Sequence, residues 1–568
     1  MTSIISLKKV RCKNCHKCIR SCPVKSIQFK DDQAQIMPEE CILCGTCLEV
    51  CPQNAKTVLS DIFKIRGYIK TGATTVVSLA PSFVGMGMPP AKTVGILKRL
   101  GFTHVHETAE GALMVSAEYA HLCELGTMEN IITTCCPTVN ALIEKYYPDL
   151  IKYAAPVVSP MIAHGIKLRQ IYGDDAKIIF VGPCISKKEE ARDARHAGII
   201  DAVLSFEELK SWIQEVHIDI DDIEEAPFEN ENPKVARLYP ITNGIISTIM
   251  AKGSLQHYKK LSVDGIENCK EMLQSMRDGK IHGCFIEMNS CPGGCINGPA
   301  MSDRSRFTAQ LDVEEYTGED AAVFPPVERN YTLDKTFMDA SETPNLPTEE
   351  TIRSILKSIG KESPDDELNC GACGYPTCRE KAIAVYQGKS ELTMCLPYMK
   401  EMAQSLSNVI LSVTPNTIML VDKDLKICEF NQAAEKLFGI SRKEAIGCYI
   451  YEFMDSSDFE FVLEEKIPIL DKKVTYENLG VTVMENILYI PEQHMIMGLM
   501  KDVTSEENQR DKLYNLKMDT IAMAQKVIDK QMVVAQEIAG LLGETTAETK
   551  VTLSKLKDMI VYNEENGQ

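Results

Sequence analysis

The sequence predicts a multidomain chain of α/β and α+β units, on three observations. The chain has 568 residues, about four domains at ~150 residues each. Its 22 cysteines are clustered rather than spread. Residues 61–345 alternate apolar runs, such as 75–80 and 177–181, with helical patterns; this is how parallel strands with sites at their C-terminal ends read. The composition, 44% apolar and 25% charged, fits folded domains. The net charge of −19, from 61 basic and 80 acidic residues, argues against nucleic acid or an anionic membrane as partner, since either needs a positive field. No stretch approaches the ~20 apolar residues of a membrane helix, and no signal-peptide core precedes Cys12. Tight CxxC groups in such a chain imply metal rather than disulfides, and a reducing, cytoplasmic location.

Residues 1–60 carry Cys12, Cys15, Cys18 and Cys22 as CxxCxxCxxxCP, repeated by Cys41, Cys44, Cys47 and Cys51, with Pro52 in the place of Pro23. The run resembles that of bacterial-type ferredoxins, which hold two 4Fe-4S clusters. In that arrangement three cysteines wrap one cubane and the fourth ligates the other. The resemblance thus implies Cys12, Cys15, Cys18 and Cys51 around one cluster, and Cys41, Cys44, Cys47 and Cys22 around the other. Two zinc sites are the alternative, although zinc usually takes two-plus-two spacing. Two adjacent clusters mean electron transfer.

Within residues 61–345, Cys135 and Cys136 lie in Thr-Thr-Cys-Cys-Pro, and Cys184 in Gly-Pro-Cys-Ile-Ser-Lys-Lys-Glu-Glu. Cys291 and Cys295 lie in Ser-Cys-Pro-Gly-Gly-Cys. In order and spacing these segments resemble the three signature segments of the iron-iron hydrogenases, with a likeness that covers roughly residues 1–300. The resemblance implies a two-lobed α/β catalytic domain whose centre joins a 4Fe-4S cubane to a diiron unit with carbonyl, cyanide and bridging dithiolate ligands. It implies Cys136, Cys184, Cys291 and Cys295 as cubane ligands, with Cys295 bridging to the diiron unit. Lys187 matches the family lysine that hydrogen-bonds a cyanide, a cation facing an anion; a solvated place in the Lys-Lys-Glu-Glu run is its plainer alternative. Pro81 and Ser82 match the segment at the other cyanide, and Glu190 would fix the Lys187 loop. Cys135 takes the place of the proton-relay thiol.

The departures from the family pattern are informative. Gly182 and Asn289 stand where the family has methionines, Met161 where it has a glutamine near the bridging carbonyl, and Val139 where it has a tryptophan. The relay serine falls at Ala155 and its paired glutamates near Glu118 and Tyr119. These changes would resize and repolarise the diiron pocket and break the relay. They point to divergent, sensory members of the family, and leave open a homologue that keeps the cubane without the diiron unit. Cys284 reads as a buried structural thiol, and residues 218–235, acidic and rich in proline and asparagine, as a surface insertion between lobes.

Residues 346–403 hold Cys370, Cys373, Cys378 and Cys395 in a Gly/Pro-rich loop and resemble a small 4Fe-4S domain attached to several redox enzymes, with zinc as the alternative. Residues 340–350 read as the linker before it. Residues 404–505 pass from a strand through Asp422-Lys423-Asp424 to a second strand and a helix, with later strand runs, and resemble a PAS sensor domain. We expect His494 to be a simple strand residue, and Cys428 and Cys448 to be packing residues. In residues 506–568 an alternating 4,3 spacing of Tyr514, Met518, Ile521, Gln525, Ile528, Met532, Ala535, Ala539 and Leu542 reads as a coiled-coil seam for homodimerisation; a helix packed on its own PAS domain is the alternative. No histidine follows His494, so no phosphoacceptor is expected on this helix.

The expected function is a sensory iron-iron hydrogenase of low activity. It would interconvert dihydrogen with protons and electrons and report through its clusters and PAS domain to a kinase, phosphatase or regulator. A hydrogenase serving a redox partner such as ferredoxin, and a cluster-only redox sensor, are the alternatives.

Overall fold

The computed structural model describes residues 4–255, 257–301, 304–342 and 345–539, with residues 551 and 555. The chain forms two compact units, Met1–Met399 and Lys400–Gln568.

In the first unit, β1 (Ile5–Leu7) and β4 (Lys56–Val58) pair antiparallel and close off the N-terminal region, around the hairpin of β2 (Ile27–Lys30) and β3 (Gln33–Ile36). The two cysteine runs fold alike. Asn14 and His16 in the first and Leu43 and Gly45 in the second all take positive φ, so each backbone turns tightly around its own group of thiols.

Two parallel sheets follow. The first runs in the order β6 (His104–Glu107), β5 (Thr75–Leu79), β8 (Lys177–Gly182), β9 (Ala202–Ser205). All five residues of β5 are buried, as an unbroken apolar run between helical layers requires. The second sheet runs β10 (Lys259–Asp264), β11 (Cys284–Asn289), β7 (Ile131–Ile132). The central region therefore holds two separate parallel sheets, and Cys135, Cys136, Cys184 and Cys291 all follow strand ends. Glu107, wholly buried at the end of β6, accepts a fork of hydrogen bonds from Arg237 at 3.0–3.1 Å.

Residues 218–235 are not a free surface insertion. Glu229 N–H bonds Val105 O at 3.1 Å and Ala226 N–H bonds Ala91 O at 3.1 Å, while Ile223 and Phe228 pack on the core. The apolar residues between the acids strap the segment down alongside β6. The small cysteine module packs the Glu349–Ser358 and Cys378–Tyr386 helices around Ile352, Leu356 and Ala382. It docks on the N-terminal region: Phe29 N–H bonds Lys389 O at 2.8 Å, and Lys389 pairs with Glu40 at 2.6 Å.

The second unit is a five-stranded antiparallel sheet in the order β13 (Ile427–Phe430), β12 (Thr417–Val421), β16 (Met495–Asp502), β15 (Val481–Ile490), β14 (Ile469–Tyr476). Asp422 Oδ1 accepts the N–H groups of Asp424 and Lys426, each at 2.9 Å, and so builds the turn into β13. His494 is in the turn before β16 rather than on a strand, exposed, with Nδ1 2.9 Å from the Tyr489 hydroxyl. Cys428 points outward from β13 and is exposed, so it is not a packing residue; Cys448 is half-buried. The helix Thr504–Ala539 carries the heptad residues. Tyr514 and Met518 are exposed and Ile521, Ile528, Met532 and Ala535 half-buried; Leu542 lies outside the described residues.

Removing one partner of a buried ion pair typically costs about 3–5 kcal/mol, and removing one of an exposed pair about 0–1 kcal/mol. Arg237→Met should therefore lower the stability of the first unit far more than Arg277→Met, which breaks the exposed pair with Asp149. Urea unfolding followed through Trp212, the only tryptophan in the chain, measures both.

Candidate metal centre

Four cysteines from three loops face one cavity. Cys136 immediately precedes the Pro137–Tyr146 helix, Cys184 follows β8 through Pro183, and Cys291 and Cys295 follow β11. Gly293 and Gly294 between the last two have φ of +82° and +94°, and a Cβ on Gly294 would lie 2.4 Å from Pro240 O. Only glycine fits this turn. The cavity walls also include Cys135, Lys187, Asn289 and Ser290.

Burial pushes the Cys184 thiol up to about 11, with Cys136 adding to the shift. It raises Cys291 and Cys295 further, each of them also disfavoured by the other cysteines of the set. Without metal these thiols stay protonated. Four cysteine sulfurs facing one cavity suit a cluster that replaces their protons with iron.

Lys187 is buried rather than solvated, as are Lys188 and Glu190; only Glu189 of the run is exposed. The Lys187 ammonium donates to Glu190 Oε2 at 2.7 Å and Cys135 O at 3.2 Å. Glu190 also accepts from Ser159 Oγ at 2.9 Å, so the expected anchoring of this loop is present. The ammonium is thereby held on the same cavity wall as Cys135 and Cys184.

The Tyr119 hydroxyl lies 3.3 Å from Cys135 Sγ and 3.2 Å from Thr134 Oγ1, and accepts Thr134 N–H at 2.8 Å. The Thr134 hydroxyl donates to Val157 O at 2.7 Å. Glu118 does not face Cys135 but pairs with Arg329 at 2.7 Å, and Ala155 is buried. A tyrosine–threonine pair thus adjoins Cys135, and no acid does so through a hydrogen bond among the described residues.

Pro81, Ser82, Met161 and Gly182 are buried at the ends of β5 and β8 and the start of the Pro160–Tyr172 helix, and do not line this cavity. Ser82 Oγ is buried without a hydrogen-bond partner, an orphaned donor of the kind that a polar ligand would satisfy. Gly182 leaves no enlarged pocket. A Cβ there would sit 2.7 Å from the Phe180 ring and 3.1 Å from Ala80 Cβ, so Phe180 occupies the space.

The other cysteine groups also converge. Cys22, Cys41, Cys44 and Cys47 line one cavity, and Cys370, Cys373, Cys378 and Cys395 another. Cys18 is influenced by Cys12, Cys15 and Cys51. Cys22 thus shares a cavity with the cysteines of the second run, the neighbours that the resemblance gives it. Cys44 lines both its own cavity and the central one. The loop between is pinned by Ser186 Oγ donating to Leu43 O at 2.9 Å and Lys145 Nζ donating to Cys41 O at 2.7 Å. A Cβ on Gly45 would meet Pro299 at 2.4 Å, so the second cysteine run is seated directly on the central site. The small module reaches the first run, where Arg20 donates to Ala372 O at 3.3 Å.

One acid escaped the sequence reading. Glu287 on β11 is wholly buried and accepts the N–H groups of Ile245 and Ile246, each at 3.0 Å. Burial pushes its carboxyl up to about 7. The signal was present as a single acid inside the apolar run of β11.

Residues 73–299 match the family described as iron only hydrogenase large subunit, C-terminal domain. Residues 4–52 match a 4Fe-4S dicluster domain, 366–397 an Fe-S cluster family, and 405–477 the PAS fold. The chain therefore carries iron–sulfur domains, a hydrogenase-type domain and a PAS domain. It is 23% identical to the NADP-reducing hydrogenase subunit HndD of Solidesulfovibrio fructosivorans, over 51% of this chain and 62% of that protein. It is 24% identical to iron hydrogenase 1 of Clostridium pasteurianum, over 49% of this chain and 66% of that protein. The chain thus spans less than two thirds of the length of either. It is also 21% identical to the nuclear prelamin A recognition factor of Xenopus laevis, over 48% of this chain and 75% of that protein.

Because the Glu287 carboxyl keeps its proton below about pH 7 and loses it above, a carboxylic-acid infrared band should titrate near neutrality and be absent from Glu287→Gln. Titration near 4.5, the ordinary glutamate value, would contradict the burial argument.

Proposed function

We propose that this chain reacts slowly and reversibly with dihydrogen and reports its redox state to a partner protein. The observation that carries the reading is the convergence of Cys136, Cys184, Cys291 and Cys295 on one cavity with a thiol, Cys135, and a buried ammonium, Lys187, on its wall. Those four cysteines would hold a cubane, with Cys295 shared with a diiron unit. Lys187 and Asn289 stand on the cavity wall, where Lys187 would hydrogen-bond an anionic ligand of that unit; the unpartnered Ser82 hydroxyl, with Pro81 and Met161, would meet it only beyond this cavity. When bound, that unit supplies the metal chemistry that interconverts dihydrogen with protons and electrons.

Cys135 holds a proton at Sγ and exchanges it with the Tyr119 hydroxyl, 3.3 Å away. From there the hydroxyl chain ends on Val157 O, and a backbone carbonyl passes no proton on. Proton supply through this chain is therefore restricted, which suits a sensor better than a high-turnover enzyme. Cys44 lines both the central cavity and its own, so clusters held there would supply electron transfer between the two and on to a redox partner such as ferredoxin. The PAS domain and the exposed helix Thr504–Ala539 provide the output, with homodimerisation through the heptad seam and a kinase, phosphatase or regulator as receiver. Among the described residues no helix is long and apolar enough to cross a membrane.

A second reading, an iron–sulfur redox sensor without the diiron unit, draws support from Phe180. Its ring fills the space at Gly182 where the family has a methionine. The nuclear prelamin A recognition factor is a relative whose name describes no hydrogenase.

General acid–base groups contribute typically 10²–10⁴-fold. Cys135→Ala should therefore lower dihydrogen uptake by the anaerobically prepared, diiron-loaded protein by at least about 10²-fold, with iron content unchanged. Uptake equal to wild type would remove Cys135 from the mechanism. No uptake by the loaded wild type would favour the second reading.

A further inference from the structure

A second cluster of side chains of metal-ligating type contains no cysteine. His106 ends on β6, Glu110 sits in the first turn of the Ala109–Leu125 helix, and His164 lies on the Pro160–Tyr172 helix. One ligand atom from each lies within 4.8 Å of the other two. His106 is 4% and His164 0% exposed.

The outer nitrogen of each ring is already engaged. His106 Nε2 is 2.7 Å from the Tyr172 hydroxyl, which reaches Glu229 Oε2 at 3.3 Å. His164 Nδ1 is 2.7 Å from Ser78 Oγ, itself 2.7 Å from Thr108 Oγ1. Such partners fix ring orientation and tautomer, as they do for metal-ligating histidines. The inner atoms are left over: His106 Nδ1, His164 Nε2 and Glu110 Oε2 are all buried without a hydrogen-bond partner. An ion pair between His164 and Glu110 is the plainer account. Their atoms are 3.3 Å apart but misaligned for a hydrogen bond, and that pairing leaves His106 Nδ1 orphaned. Burial, helped by the neighbouring His164, holds His106 down to about 4, so its ring is neutral and its lone pair available.

We propose that His106 Nδ1, His164 Nε2 and Glu110 Oε2 bind a zinc ion, with water completing a tetrahedron. Two imidazoles and a carboxylate are a known zinc donor set. The edge of a tetrahedron with ~2.1 Å metal–ligand bonds is about 3.4 Å, which the His164–Glu110 separation already meets. Lys167, paired with the other oxygen of Glu110, keeps that carboxylate ionised. The ion would tie β6 to two helices, one of which carries Tyr119 against Cys135.

The test is zinc analysis with zinc-edge X-ray absorption on the full-length, anaerobic, cluster-loaded protein after incubation with zinc and desalting. The expected result is about one zinc per chain with nitrogen and oxygen neighbours at about 2.0–2.1 Å. It should be lost in His106→Gln and His164→Gln at unchanged iron content. No retained zinc, zinc bound by sulfur at about 2.3 Å, or an N/O shell that survives both substitutions would each overturn the assignment. If a variant fails to fold, the wild-type spectrum alone still decides between bound N/O-ligated zinc and none.

Discussion

Four cysteine sulfurs that face one cavity lose their protons together only when a metal cluster takes the place of those protons. Much of the first unit can be understood as meeting that requirement. The sulfurs come from three loops because a cubane presents its corners in different directions, and no single short turn reaches all of them. Parallel sheets supply such loops at one edge, since all their strands end on the same side. Gly293 and Gly294 let two cysteines four residues apart reach the same cavity. Lys187 brings positive charge to a wall otherwise crowded with sulfur, and Glu190 and Ser159 hold it there.

The same requirement organises the electron path. Clusters must lie close together to exchange electrons, and the Cys44 loop is shared between two cysteine cavities. The tight contact of Gly45 with Pro299 keeps that loop in place. The small module, late in the sequence, returns to the N-terminal region rather than extending the chain outward. The hydroxyl chain from Cys135 is short and ends on a backbone carbonyl, a restriction that the proposed slow reporter would have.

What the sequence made legible was local. Cysteine spacing points to ligands because a cluster imposes its geometry on neighbours a few residues apart, whereas the grouping of Cys136 and Cys184 with Cys291 and Cys295, which share one cavity, came from the family resemblance. Strands 75–79 and 177–182 were readable because burial on both faces leaves a continuous apolar run. What stayed hidden depends on contacts across long stretches of chain. The Tyr119–Cys135 contact, the Phe180 ring at Gly182, and the meeting of His106, Glu110 and His164 arise only when separate elements pack. Residues 218–235 misled because their acids outnumber their anchors, yet Ile223 and Phe228 decide where the segment lies.

The central claim is that the cavity around Cys136, Cys184, Cys291 and Cys295 serves a diiron unit that meets dihydrogen. Infrared spectroscopy of the anaerobic protein, with clusters reconstituted and a diiron cofactor supplied, addresses it most directly. The account predicts carbonyl and cyanide bands that shift when dihydrogen is admitted. Intact cubanes with no such bands would contradict it and leave an iron–sulfur redox sensor built on the same fold.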